Sequence, residues 1–167
     1  MSEILQTQRL LLRQFNLQDA DFILQLLNTP NWLKFIGDKG VRTREDAIEY
    51  LENGPIKSYN ENGFGLWMVA LKETDTPIGM CGLVNRESLQ DIDIGFAFLP
   101  EFMQLGYGYE IASATLKYGK EVLDLGKIVA ITDPKNIASI KLLTKIGLSF
   151  EKTLALSDTD SVLVFTP

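Results

Sequence analysis

Apolar and polar positions change period several times along this chain, and each change marks an expected element. Ile92, Ile94, Phe96 and Phe98 alternate with Asp93, Gly95 and Ala97, the period of a strand. Phe64 to Leu71 alternates in the same way, and Ile78 to Val84 is an apolar run. The turn Thr74-Asp75-Thr76-Pro77 between them predicts a hairpin. From Tyr109 to Leu125 the spacing becomes helical through Ile111, Thr115, Tyr118, Val122 and Leu125, with Gly126 placed to end it. Ile128 to Ile131 is a short, fully apolar strand. Ile137 to Ile146 reads as a helix closed by Gly147, and Phe150 to Phe165 as a hairpin with Ser157-Asp158-Thr159-Asp160 at its tip.

Nearer the start, Arg9 to Arg13 reads as a strand. Asp19 is expected to cap a helix carrying Phe22, Ile23, Leu26 and Leu27 on one face. Thr43 and Asp46 have capping-box spacing and open a helix to about Leu51, ended by Asn53-Gly54-Pro55, with resumption towards Asn60 as the alternative. The order β-α-α-β-β-β-α-β-α-β-β predicts an α/β fold with a mixed sheet, as a single domain over residues 1–167.

Composition narrows the chemistry more than the fold. No apolar run approaches the ~18–20 residues that span a bilayer. Met1 to Gln6 lacks a basic start and a long apolar stretch, so no signal peptide and a cytoplasmic setting are expected. One cysteine, Cys81, excludes an internal disulfide framework, and its apolar surroundings in sequence make it a core residue. A net charge of −6 argues against nucleic-acid or anionic-membrane partners. That charge suits an amine substrate, although mild acidity also serves solubility in general. The count of 0 histidines excludes Ser-His-Asp and Cys-His nucleophiles and removes the commonest zinc ligand, so no metal is expected. Proton transfer then falls to carboxylates, Tyr, Lys, Ser or water.

Two polar turns carry the functional signal. Met103-Gln104-Leu105-Gly106-Tyr107-Gly108 follows a strand and opens a helix, where free N–H groups favour phosphate oxygens. A P-loop would need Gly-Lys-Ser/Thr where Tyr109-Glu110 stands, and a dinucleotide fingerprint would want glycine at Ile111. Asp133-Pro134-Lys135-Asn136-Ile137-Ala138-Ser139 is the second turn. A crossover should place the strand at Ile128 beside the strand at Ile92, so that both turns face one cleft at the carboxyl ends of parallel strands.

With these turns in place, the chain resembles the GNAT family of N-acetyltransferases, near the branch that acetylates N-terminal amines of ribosomal proteins. The resemblance rests on Thr7-Gln8-Arg9-Leu10-Leu11-Leu12-Arg13, Asp93-Ile94-Gly95-Phe96, the run Pro100 to Glu110, Asn136 to Ser139 and Lys145-Ile146-Gly147. It implies splayed central parallel strands with flanking helices, and acetyl-CoA as co-substrate. Phe96, Ala97 and Phe98 would run beside the pantetheine. Amides of Gln104, Leu105, Gly106, Tyr107, Gly108 and Tyr109 would hold the pyrophosphate, and Asn136 would bond the pantetheine arm. Ser139 would protonate the leaving thiolate or bond the pantetheine, with a helix-start serine satisfying backbone groups as the bland reading. Asp158 falls near an acidic position of that branch, but it lies in an Asp-rich turn, and an ordinary turn residue is the favoured reading there. Departures are Met103, where Gln or Arg is usual, Leu143, where many members have a tyrosine acid, and Leu148.

Asp93 is the catalytic carboxylate suggested by alternation, with a solvated or capping carboxylate as the bland reading. Trp32, Phe35 and Trp67 are candidates for an acceptor pocket or for the core. A side chain at Gly108 would be expected to enter the phosphate turn. The expected activity is direct acetyl transfer to a primary amine, either a protein N-terminus or a small molecule, by a monomer or homodimer. The alternatives are a non-catalytic acyl-CoA-binding module and transfer of a longer acyl group.

Overall fold

Strand alternation sorts the side chains of one sheet between two helical layers. The structure is a computed structural model and describes residues 2–167. Its strands are β1 (Glu3–Gln6), β2 (Leu10–Arg13), β3 (Leu66–Leu71), β4 (Pro77–Val84), β5 (Ile92–Phe98), β6 (Ile128–Thr132), β7 (Ser149–Ala155) and β8 (Ser161–Thr166). They lie in the order β1-β2-β3-β4-β5-β6-β8-β7. Helices α1 (Ala20–Leu26), α2 (Arg44–Leu51) and α3 (Lys57–Asn62) precede β3; α4 (Tyr107–Glu121) joins β5 to β6, and α5 (Ile137–Lys145) follows β6.

Ile94 and Phe98 of β5, with Trp67, Cys81 and Leu83, pack against Ile111, Ala112 and Leu116 of α4 and Leu143 of α5. On the other face, Met68 and Met80 pack against Ala20, Ile23 and Leu26 of α1 and Ala47 and Leu51 of α2. Burial of each large apolar side chain is worth about 1.5–3 kcal/mol, so the two rows fix which face of β5 meets which layer. Asp93 and Gly95, in phase with Ala97, face the α1–α2 layer. No helix among the described residues is long and apolar enough to cross a membrane.

Every neighbouring pair is antiparallel except β5 and β6, which are parallel across the α4 crossover. Their ladder is short, with Ile92 opposite Ile128 and Asp93 opposite Val129. From Ala130 onward β6 pairs with β8, while β5 stays paired with β4 as far as Phe98 opposite Gly79. The sheet therefore opens between the carboxyl halves of β5 and β6.

Two local expectations change. The strand β1 is an added four-residue edge, too short and too exposed to show a period. Asp19 does not cap α1 with its side chain: Asn16 caps the 3-10 turn before it, Asp19 Oδ2 accepts the Asn16 amide at 2.9 Å in return, and the same carboxylate is buried in a two-bond pair with Arg13, both contacts 2.9 Å. Helix α2 ends at Leu51 as expected, and the helix resumes beyond Asn53-Gly54-Pro55. A π-helical turn over Glu52–Ile56 carries Pro55 through and continues into α3, which ends at Gly63 with φ 78°.

Candidate active site

Gly95, Phe96 and Ala97 are half-buried although they lie in a central strand, because β6 has moved away beside them. Beyond Asp93 the β6-facing edge of β5 has no ladder partner among the described residues. Unpaired backbone groups in a sheet interior are costly unless something else bonds them. An extended ligand carrying amides fits that edge.

At the carboxyl end of β5, a 3-10 turn over Pro100–Phe102 leads to Met103, and the chain then enters α4 through two left-handed positions. Gln104 has φ 61° and Gly106 has φ 85°. Among the described residues, the amides of Gln104 to Tyr109 donate no hydrogen bond; Glu110 is the first to do so, to the Gly106 carbonyl at 3.2 Å. Six consecutive free N–H groups at the start of a fifteen-residue helix form a site for an anion, and a diphosphate fits it. Gly108 serves otherwise than expected. A methyl group there would lie 3.0 Å from Leu142 Cδ2 and 3.6 Å from Phe98 Cε2, so the glycine permits close packing of α4 on α5 and a side chain would point away from the turn.

The second turn stands at the carboxyl end of β6, on the same side of the opening. Asp133 Oδ1 accepts the Lys135 amide at 2.8 Å and shapes the turn. Asn136 caps α5, its Oδ1 accepting the Ser139 amide at 3.2 Å. Asn136 Nδ2 and Ser139 Oγ have no partner among the described residues, and both residues are half-buried. Leu143 is 1% exposed in the α4–α5 core, so a packing residue holds the place where the resemblance puts a tyrosine acid.

Asp93 sits where β5 and β6 are still paired. Its side chain is 1% exposed, and Arg86 Nε donates to both oxygens at 3.0 and 3.2 Å. Burial pushes its pKa above the usual carboxylate range, and Arg86 opposes that rise. On the α2–α3 side a cleft of about 270 Å³ is lined by Tyr50, Asn53, Ser58, Asn62, Leu66 and Asn85. Leu66 Cδ2 lies 3.5 Å from the position of a Cβ at Gly95, which brings this cleft to the open stretch of β5. The Tyr50 hydroxyl is pushed up to about 12 by burial, against the opposing charge of Arg86.

The remaining candidates separate. Asp158 is exposed at the tip of the β7–β8 hairpin, and among the described residues no hydrogen bond or ion pair joins it to Asp93 or Ser139. Trp67 is buried in the α4 layer, edge-on to Tyr118 at 5.8 Å, and Trp32 is buried between α1 and α2. Both tryptophans are core residues, and Phe35 is half-buried. Sequence reading passed over Arg86 and the Arg9–Glu110 pair. A hairpin register of Val84 opposite Asp93 would have pointed to Arg86; nothing local pointed to Arg9.

The chain is similar to known proteins along most of its length. A model of the acetyltransferase (GNAT) domain matches residues 9–149. The Bacillus subtilis (strain 168) protein YnaD, described as an uncharacterized N-acetyltransferase, is 32% identical over 145 residues, covering 87% of this chain and 82% of its own. An acetyltransferase from Agrobacterium tumefaciens str. C58 superposes with a TM-score of 0.82 at 22% identity, over 100% of this chain and 94% of that one. Spermidine N-acetyltransferase from Vibrio cholerae, solved with CoA and spermine, gives 0.79 at 20% identity over 96% of each chain. With a parallel pair open beside a turn of free amides, and a family model matched along most of its length, this chain belongs to the GNAT acetyltransferases, enzymes that move an acetyl group from acetyl-CoA to an amine.

Proposed function

We propose that residues 1–167 act as one domain that passes acetyl directly to the primary amine of a peptide N-terminus or a small molecule. The observation that carries this reading is the junction at Gly95. There the opening between β5 and β6, which suits an extended thioester, meets the cleft beneath α2 and α3, which suits an acceptor. Bound acetyl-CoA supplies the activated acyl carbon.

The chain's own residues hold and orient the reactants. Free amides from Gln104, Leu105, Gly106, Tyr107, Gly108 and Tyr109 take the diphosphate, and the open edge at Phe96, Ala97 and Phe98 takes the pantetheine. Asn136 Nδ2 donates to a pantetheine carbonyl, and Ser139 Oγ delivers a proton to the departing sulfur. Holding the two reactants together is worth on the order of 7–11 kcal/mol at best, so modest proton-transfer help suffices. Asp93 is too buried to touch an amine and accepts its proton through water. Asp158, exposed on the hairpin tip and without a contact to Asp93 or Ser139 among the described residues, is given no role in the transfer.

The acceptor cleft favours a peptide N-terminus over a polyamine. Its lining is rich in neutral amides and hydroxyls, Asn53, Asn62, Asn85, Ser58 and Tyr50, and its charges, Lys57 and Glu61, balance. A polycation needs uncompensated carboxylates. The test is CoA release from acetyl-CoA with a panel of N-terminal peptides and polyamines. Turnover on peptides supports this reading, and turnover confined to polyamines overturns the acceptor assignment. Tight acetyl-CoA binding without turnover on any amine would leave an acyl-CoA-binding module instead.

A further inference from the structure

The turn expected to carry the diphosphate is held from outside by a side chain more than ninety residues away in sequence. Arg9, at the mouth of β2, donates from Nε to Glu110 Oε1 at 2.8 Å and from Nη1 to the Leu105 carbonyl at 3.1 Å. Its guanidinium carbon lies 4.4 Å above the centre of the Tyr107 ring. Glu110, in the first turn of α4, also accepts the Arg9 amide at 2.9 Å and the Thr7 hydroxyl at 2.6 Å. The β1–β2 turn is thus fastened to both sides of the bend.

The Leu105 contact has a directional consequence. In a planar trans peptide the C=O of one residue and the N–H of the next point in opposite directions. Holding the Leu105 carbonyl toward Arg9 therefore turns the Gly106 N–H away from Arg9 and into the turn. The adjoining backbone needs such support, because Gln104 occupies a left-handed conformation at φ 61° that a non-glycine residue seldom adopts. Met103 stands where the family resemblance expects a polar side chain for the phosphates, so backbone donors have to do more of the work.

We infer that Arg9, fastened by Glu110, is a positioning residue for the co-substrate: it aims the Gly106 amide at the diphosphate and keeps the turn in its binding conformation before the ligand arrives. This rests on the reading that the turn binds the diphosphate. The experiment compares CoA with S-acetylpantetheine, which lacks it, by calorimetric titration of wild type, Arg9→Ala and Arg9→Lys.

In the wild type, CoA should bind at least about 100-fold more tightly than S-acetylpantetheine. For Arg9→Ala, CoA affinity should fall about 10-fold or more, S-acetylpantetheine affinity should hold within about 2-fold, and KM for acetyl-CoA should rise while kcat is kept. Arg9→Lys should fall between, because one ammonium cannot serve Glu110 and Leu105 together in the fork geometry of a guanidinium. In amide spectra without ligand, the Gly106 resonance should shift in Arg9→Ala. Equal wild-type affinity for the two ligands overturns the diphosphate reading itself. Wild-type discrimination that persists undiminished in Arg9→Ala, or an equal loss for both ligands, overturns the role of Arg9. If Arg9→Ala does not fold, Glu110→Gln takes its place: a several-fold loss confined to CoA supports the clamp, and unchanged CoA affinity overturns it.

Discussion

Arg86 Nε lies 3.0 Å from Asp93 Oδ1, yet the two partners differ sharply in environment: the Asp93 side chain is 1% exposed and that of Arg86 is 41% exposed. Removing one partner therefore costs more than removing the other. Arg86→Gln strands a carboxylate that cannot rehydrate, whereas Asp93→Asn leaves a guanidinium that can. Fully buried pairs lose about 3–5 kcal/mol when one partner goes, and the exposure of Arg86 lowers that to about 1–3 kcal/mol for Arg86→Gln. The pH dependence has a definite sign. The folded pKa of Asp93 is raised, so its contribution to stability is full below the unfolded value, ~3.9, and is lost as pH rises through the folded value. Arg86 limits that loss. Urea unfolding of Arg86→Gln and wild type should give similar stabilities near pH 4 and diverge toward pH 8. A gap that shrinks with rising pH would show that Asp93 is not the group responsible.

Asn136 divides its two side-chain atoms between folding and binding. Its Oδ1 caps α5 through the Ser139 amide, and its Nδ2 faces no partner among the described residues. Asn136→Asp keeps the capping oxygen and removes the donor, so thermal stability should hold within a few degrees while CoA affinity falls about 10-fold. Asn136→Ala should lose the cap as well, at about 1 kcal/mol. If Asn136→Asp binds CoA normally, the amide makes no contact with the pantetheine. Ser139→Ala should lower kcat more than it alters CoA affinity, and an unchanged kcat would remove Ser139 from the proton path.

Local order and the parallel β5–β6 crossover were legible in the sequence; distant side-chain pairs were not. The strand Ile92–Phe98 was read residue for residue because its alternation is uninterrupted and its two rows face two different cores. The Thr43–Asp46 capping box was equally readable, since both of its bonds are local. Helix α4 starts at Tyr107, two residues before the expected Tyr109, because Tyr107 and Gly108 belong to both the helix and the turn. Asp19 misled because its partner Arg13 lies on a strand, where only the fold brings the pair together. Likewise, the anion turn declared itself through its glycines, whereas Arg9 and Glu110, 101 residues apart, meet only when β2 packs beside α4.

The two glycines of that turn should behave differently. Gly106 has φ 85°, where any side chain is strained by about 1 kcal/mol, and a methyl group there would also lie 3.2 Å from Arg9 Nη2. Gly106→Ala should weaken CoA binding about 10-fold by disturbing the amide that Arg9 aims. Gly108 has ordinary helical geometry, and its added methyl group would meet the end of the flexible Leu142 side chain. Gly108→Ala should keep CoA affinity within about 3-fold and lower Tm by a few degrees at most. Titration of both variants checks this, and the reverse order of losses would mean that the packing of α4 on α5, not the turn, controls binding.

Cys81 offers the last prediction. It is 0% exposed in the α4-facing core, its sulfur lies 3.4 Å from Thr115 Oγ1, and burial pushes its thiol up to about 12. Because the thiolate is the nucleophilic form, a thiol held protonated and walled off cannot carry an acetyl group at neutral pH. Transfer should therefore be direct, with no acetyl-cysteine stage. Native protein treated with iodoacetamide near pH 8 should remain unlabelled and fully active, and should take up one equivalent only after unfolding. Cys81→Ala should leave kcat unchanged and cost about 1–2 kcal/mol through lost packing beside Thr115. Stoichiometric labelling of the native protein with loss of turnover, or radiolabelled acetyl retained on the chain after quenching, would put the cysteine back on the reaction path.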